Sequence, residues 1–255
     1  MTFDHVDPRH RGPNTVNMTR LQVAELILTA GHRRVLDLPS GTGALTQMLL
    51  DKGVETVSAD LDPTGFVVPG RSCVRADLNA RLPFEDEEFD AVACIEGIEH
   101  IENPHLLARE ANRILKPGGR LYVTTPNVLS IRSRLSYLLR GYPDQFHYMI
   151  EVDAETGREK QVAHINPIGF LELRHTLSIW GFRVDLVQAN RLLKRSSLLY
   201  RALRSLLLTR GKRSAAAHPR VAEVRESLLS DPVLFGEGLI LGATKVATPS
   251  RQPGK

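Results

Sequence analysis

Cysteine is nearly absent: 255 residues contain two, Cys73 and Cys94. That excludes a disulfide framework, and their spacing is not that of a metal site, so both read as packing residues. No stretch reaches 18 consecutive apolar residues, which argues against a membrane-spanning helix. The first twenty residues hold no apolar signal core, and the expectation is therefore a cytoplasmic protein. Acid is missing from one long stretch. Between Leu186 and Ala222 there is no Asp or Glu, while Arg191, Lys194, Arg195, Arg201, Arg204, Arg210, Lys212, Arg213 and Arg220 supply nine positive charges. The rest of the chain carries 24 basic and 29 acidic residues, so the formal net charge of +4 comes from one segment and not from the fold. What remains, 42% hydrophobic and 24% charged, is an ordinary globular mix, long enough for one α/β domain with insertions.

Strand and helix patterns alternate. The spacing predicts a helix over 19–30, a strand RRVLDL at 33–38, a glycine turn, and a helix ALTQMLLDKG closed by Gly53. Strands follow at 54–62, 89–98 and 119–126, with a helix over about 104–115 stopped by KPGG. NPIGFLELRHTLSIWGF reads as a helix closed by Gly181, FRVDLVQA as a strand, and 238–246 as the last strand. Such alternation predicts a parallel sheet covered on both faces, with ligands beyond the carboxyl ends of its strands. The stretches DLPSGTG, ADLDP and CIEGIEH all stand at that end.

In VLDLPSGTGALT, Gly41 and Gly43 lie between a strand and a helix, where small residues let the backbone approach a ligand. The next strand ends in Asp60, an acid placed about 20 residues on to accept hydrogen bonds from a ribose. Asp62, just before Pro63, reads instead as a turn or cap residue. Taken in order, VLDLPSGTGALT, VSADLDP, RADLNARLPFEDEEFDAVACIEGIEHI and ILKPGGRLYVTTPN resemble the successive motifs of class I S-adenosylmethionine-dependent methyltransferases. The resemblance covers about residues 33–127. It implies a Rossmann-like fold, a mostly parallel seven-stranded sheet with an antiparallel last strand and helices on both faces. It further implies S-adenosyl-L-methionine as cofactor, with Asp37, Ser40, Gly41 and Gly43 around its methionine part, Asp60 at the ribose, Asp77 and Leu78 at the adenine, and Glu96 beside the methyl donor. Pro39 departs from the pattern, since the family commonly has glycine there, and proline removes a backbone donor.

The densest charge follows the fourth strand, in CIEGIEHIENPHLL. Methyl transfer needs a deprotonated or uncharged nucleophile in line with the sulfonium, so positioning and proton removal fall to the protein. His100 suits proton removal, with Glu96 beside it as the second candidate catalytic group. Alternatively Glu96, Glu99 and His100, with His164 or His147 as fourth ligand, hold a divalent ion such as Mg, Mn or Zn that activates a hydroxyl. This pattern resembles the ubiquinone-pathway O-methyltransferases and the small-RNA 2′-O-methyltransferases, in which those positions bind metal.

The expected organisation is a tail at 1–18, one domain over 19–247 and a second tail at 248–255, with a substrate-covering segment at 127–163 and a basic helical insertion at 190–236. A helix over 191–210 would set Leu192, Leu199, Leu203 and Leu206 opposite Lys194, Arg201 and Arg204. That is an amphipathic basic face suited to peripheral contact with the inner membrane surface; nucleic acid is disfavoured by the scarcity of aromatics there. The sequence thus predicts O-methylation of a hydroxyl on a small molecule, a lipid-linked intermediate or a glycan. Its alternatives are a metal-assisted RNA 2′-O-methyltransferase and a non-catalytic binding protein that keeps the fold.

Overall fold

The sheet is most apolar at its middle. In the computed structural model, which describes residues 13–146, 164–192, 205 and 219–247, β1 (Arg34–Asp37) and β4 (Phe89–Cys94) lie side by side and are buried along nearly their whole length. Near-continuous burial is what a strand covered on both faces requires. Around them the chain runs α1 (Pro13–Thr29), β1, α2 (Ala44–Leu50), β2 (Glu55–Asp60), β3 (Cys73–Arg75), β4, α3 (Pro104–Ile114), β5 (Leu115–Pro126) and α4 (Ile131–Arg140). It continues with α5 (Phe170–Ile179), β6 (Phe182–Ala189), α6 (Pro219–Leu228), α7 (Asp231–Phe235) and β7 (Gly238–Lys245). The seven strands take the order β3-β2-β1-β4-β5-β7-β6, and only β7 runs antiparallel to its neighbours. This is the mostly parallel sheet with an antiparallel last strand that the motifs imply.

Period-two alternation sorts the strand residues between two helical layers. Val35, Ala91, Ala93, Tyr122 and Ile240 pack with Val23 and Ile27 of α1 and Leu45 and Leu49 of α2. Their neighbours Leu36, Val92, Leu121, Val123 and Leu241 face the opposite layer, with Leu107 and Ala111 of α3 and Phe170 and Leu173 of α5. The chain passes from β1 to β2 on one side and returns to β4 on the other, so a crevice opens at the carboxyl ends of β1 and β4. Arg113 fixes the approach to β4: it donates to the carbonyls of Leu82 and Phe84 at 2.9 and 2.7 Å and pairs with Glu110 and Asp86.

Several boundaries differ from the sequence reading. α1 begins at Pro13 and not at 19, with proline in a first turn where its missing N–H costs nothing. The strand expected to reach residue 98 ends at Cys94, because Glu96 turns into left-handed backbone at φ 52°. β5 starts at Leu115, through the KPGG stretch, with a register shift between Phe89 and Ala91. β3 was not anticipated as a strand. Within the expected insertion, α6 and α7 fill the second half, whereas the helix expected over 191–210 lies almost wholly outside the described residues. Both expected tails and 147–163 also lie outside them, apart from 13–18 within α1. Among the described residues no helix is long and apolar enough to cross a membrane.

Candidate active site

The glycine loop lies on β2 through its backbone. Ser40 donates to the Ala59 carbonyl at 2.9 Å, and Gly43 closes the turn on the Ser40 carbonyl at 2.9 Å. Gly43 has φ 87°, and a Cβ there would lie 2.4 Å from Val68 Cγ2 and 2.5 Å from a Phe66 ring carbon. Only glycine fits this position. Gly41 is also left-handed, at φ 53°, but a Cβ there would meet nothing within 4 Å: above it is open space for a ligand. The Gly41 amide donates to Asp60 Oδ2 at 2.8 Å, so the Asp60 carboxylate sits at the loop's mouth. Asp62 accepts from the Thr64 amide and hydroxyl and caps the turn Pro63–Gly65. Asp77 is exposed and accepts from the Asn79 amide at 2.8 Å, while Leu78 packs on the core. Pro39 faces Gly97, where a Cβ would stand 2.6 Å from proline Cδ.

Asp37 lies beneath this loop, 2% exposed. The Thr46 amide and hydroxyl donate to its Oδ2 at 3.1 and 2.7 Å. Burial outweighs them and pushes its carboxyl up to about 7. Arg20 of α1 is its cationic neighbour; burial lowers the guanidinium, and the charge on Asp37 opposes that. Sequence reading missed Arg20. Its signal is a lone charge at the head of the core stripe, preceding Val23, Ala24 and Ile27 at helical spacing.

Glu96 stands at the end of β4 in a conformation that non-glycine residues rarely adopt. Thr124 of β5 holds it there, accepting from the Glu96 amide at 2.9 Å and donating to Glu96 Oε1 at 3.1 Å. Next comes a single turn, Ile98–His100. The Glu99 carbonyl accepts from the amides of Ile165 and Asn166 at 2.9 and 3.0 Å, which draws the chain before α5 onto the turn. As a result His100 and His164 meet edge to face with ring centroids 4.9 Å apart. One ligand atom from each of Glu99, His100 and His164 lies within 4.8 Å of the others, and Glu99 is fully buried. His164 Nδ1 is 3.1 Å from the Gln145 carbonyl, a contact that orients the ring. Of the four ligands expected together, Glu96 is not in this group. Its Oε1 accepts from the Thr124 hydroxyl instead. His147, the other candidate ligand, lies outside the described residues. Cys94 is buried with its thiol pushed up by burial, consistent with packing alone.

Residues 36–123 match the methyltransferase domain family. A demethylmenaquinone methyltransferase of Clavibacter sepedonicus is 30% identical over 157 residues, covering 55% of this chain and 61% of that protein. A ubiquinone biosynthesis O-methyltransferase of Xylella fastidiosa is 32% identical over 126 residues, covering 45% of this chain and 50% of that protein. The chain thus spans between half and two thirds of the curated relatives it matches. The crystal structure of a SAM-dependent methyltransferase from Archaeoglobus fulgidus superposes with a TM-score of 0.58 at 19% identity, over 93% of this chain and 97% of the other, which shows a shared fold. The glycine loop, the acid at the end of β2 and the 3-2-1-4-5-7-6 strand order frame that match, so residues 36–123 carry a methyltransferase domain and the sheet has the class I S-adenosylmethionine-dependent methyltransferase fold.

Proposed function

We propose that this protein moves a methyl group from S-adenosylmethionine to a hydroxyl oxygen of a small molecule, a lipid-linked intermediate or a glycan. The observation that carries the reading is the convergence of Glu99, His100 and His164 at the carboxyl end of β4. The open space over Gly41, the Asp60 carboxylate beside it and the buried Asp37 with Arg20 supply the shape and charges that a sulfonium amino acid and a ribose need. In that reading Asp60 accepts from the ribose hydroxyls, and Asp37 and Arg20 face the charged methionine end. Asp77 and Leu78 border the adenine, and Glu96 borders the methyl group.

The transfer forms a carbon–oxygen bond and breaks the carbon–sulfur bond, leaving S-adenosylhomocysteine, while the hydroxyl loses its proton. His100 takes that proton. His164, held through Nδ1, packs edge to face against the His100 ring, with the buried Glu99 carboxylate beside both. The same three side chains would hold a divalent ion, their mixed nitrogen and carboxylate set suiting Mn or Zn better than Mg; when bound, such an ion lowers the pKa of a hydroxyl it coordinates. Oxygen as the acceptor atom is supported by the Xylella fastidiosa relative, an O-methyltransferase by name.

Calorimetry with S-adenosylhomocysteine, before and after chelation, tests both halves of the reading. Binding together with stoichiometric metal that a His100→Ala/His164→Ala double variant loses supports the metal-held form. Binding without metal supports His100 as the direct base. Absence of binding defeats the methyltransferase reading.

A further inference from the structure

A cleft of about 290 Å³ opens between the first turns of α3 and α5, and it shares no residue with the glycine loop or with Glu99, His100 and His164. Ile101, Pro104, Ile165 and Ile168 form its aliphatic walls; Ile101 and Ile168 are buried, so the cleft reaches the core. Thr176 of α5 also lines it, at 3% exposure. A helical serine or threonine can satisfy its hydroxyl on the carbonyl four residues back, as Ser227 does on Glu223. Thr176 does not: among the described residues its hydroxyl has no hydrogen-bond partner. A hydroxyl buried without a partner is a net loss to the fold, and a ligand in the cleft is what would satisfy it.

We propose that this cleft binds a small alkylammonium compound. Glu102, two residues ahead of α3, and Glu172, in the first turn of α5, line the cleft, and neither carboxylate has an ion pair or hydrogen bond among the described residues. No lysine or arginine lines it. The arginines of the two helices are engaged elsewhere: Arg174 pairs with Glu223 at 3.5 Å, Arg109 lies over the Trp180 ring, and Arg113 pairs with Glu110 and Asp86. The two helix N-termini add only about half a positive charge each. Asn166 Nδ2 donates to the Ile101 carbonyl at 3.4 Å, which leaves Oδ1 as an acceptor, and Trp180 Nε1 donates to His105 Nδ1 at 3.1 Å, which puts the His105 proton on Nε2. Acceptors thus prevail over donors around a hydrocarbon interior, and the matching occupant is an N–H-rich cation on an aliphatic body. A metal ion would leave the isoleucines unfilled and would find no lone pair on His105 Nε2. The stretch 147–163 does not supply the cation, since its Glu151, Asp153, Glu155 and Glu159 outnumber Arg158 and Lys160. Lysines and arginines of 191–213 offer similar cationic chemistry from within the chain, and the experiment separates the two sources. The inference does not rest on the proposed methyl transfer.

The full chain is titrated with cyclohexylamine, and with cyclohexanol as the uncharged control, by two-dimensional NMR of its methyl groups. Expected are shifts confined to the cleft, at Ile101, Ile165, Ile168 and Thr176, and an affinity for the amine about tenfold or more above that for the alcohol. Glu102→Gln/Glu172→Gln should abolish that preference, and Thr176→Val should lower the affinity for the amine about three- to tenfold. Neither variant should melt below the parent or bind S-adenosylhomocysteine less tightly, because none of the three side chains has a polar partner among the described residues. No binding, equal binding of the alcohol, shifts outside the cleft, or unchanged affinity in the variants overturns the proposal. A lowered melting temperature of the double glutamine variant also overturns it, by showing that a cation of the chain itself holds the carboxylates. So does a lowered one for Thr176→Val, which would mean that the hydroxyl is already paired. S-adenosylhomocysteine binding that survives beside a failed titration leaves the proposed methyl transfer standing.

Discussion

Replacing Asp37 by asparagine should remove a pH-dependent loss of stability from the ligand-free protein. Burial holds the Asp37 carboxyl at about 7, against an ordinary value of 3.8, despite two hydrogen bonds from Thr46 and the nearby charge of Arg20. The folded pKa therefore exceeds the unfolded one. Between those values the folded chain keeps a proton that the unfolded chain has released, so stability falls as pH rises through the window and levels off above about 7. From about pH 5 to about pH 8 the folded carboxyl crosses roughly two units of that window, or about 3 kcal/mol. Asparagine keeps an acceptor oxygen for Thr46 and does not titrate. Urea unfolding of both proteins at the two pH values measures the effect. The parent should lose about 3 kcal/mol more than Asp37→Asn. Parallel pH profiles would refute the reasoning, because they would mean that Asp37 is already ionised when folded at low pH. The same substitution should weaken S-adenosylhomocysteine binding, so stability and affinity would move in opposite directions.

Asp60→Ala should weaken S-adenosylhomocysteine binding by roughly 1.5–3 kcal/mol in calorimetry, the worth of hydrogen bonds to a charged acceptor, and unchanged affinity would move the ribose elsewhere. His100→Ala should lower kcat by about 10²–10⁴ with cofactor affinity intact, and equal turnover would remove it from the chemistry. Gly43→Ala should cost about 2–4 kcal/mol in chemical unfolding, from left-handed backbone plus the overlap with Val68 and Phe66. Gly41→Ala, with only the backbone cost, should lose about 1–2 kcal/mol; equal losses at both positions would contradict the packing around Gly43. Thr124→Val should destabilise by about 1–3 kcal/mol by leaving the Glu96 amide without its acceptor, and an unchanged unfolding midpoint would show that the Glu96 turn does not depend on it.

Legibility in the sequence followed burial. β6 has the bounds that FRVDLVQA implied, and β1 and β4 were readable because strands covered on both faces are short apolar runs. β3 was not readable: it is three residues long at the sheet edge, and its Val74 and Arg75 are exposed, so no pattern marks it. The glycine loop and Asp60 could be placed from spacing alone, since one turn and one strand connect them. The pairing of His100 with His164 could not, because 64 positions separate them and their meeting depends on two backbone hydrogen bonds to the Glu99 carbonyl. Arg20 and the exposed leucines of α4, Leu135, Leu138 and Leu139, share one cause of invisibility. Helical periodicity shows that a stripe exists, but not which face the tertiary structure buries; in α4 serine hydrogen bonds settled that against the leucines.

The carbonyl of Glu99 has an effect beyond the site it completes. By anchoring Ile165 and Asn166 through main-chain atoms, it keeps His164 in place whatever side chains occupy those two positions. Phe146 lies against His164 with ring centroids 5.4 Å apart, so the two residues that flank 147–163 in the chain are neighbours in space. A connection that leaves and returns at one point can change length cheaply: doubling it costs only about 0.6 kcal/mol in closure entropy. An exchange of 147–163 for a longer or shorter segment should therefore change the stability of the domain by only about 1 kcal/mol.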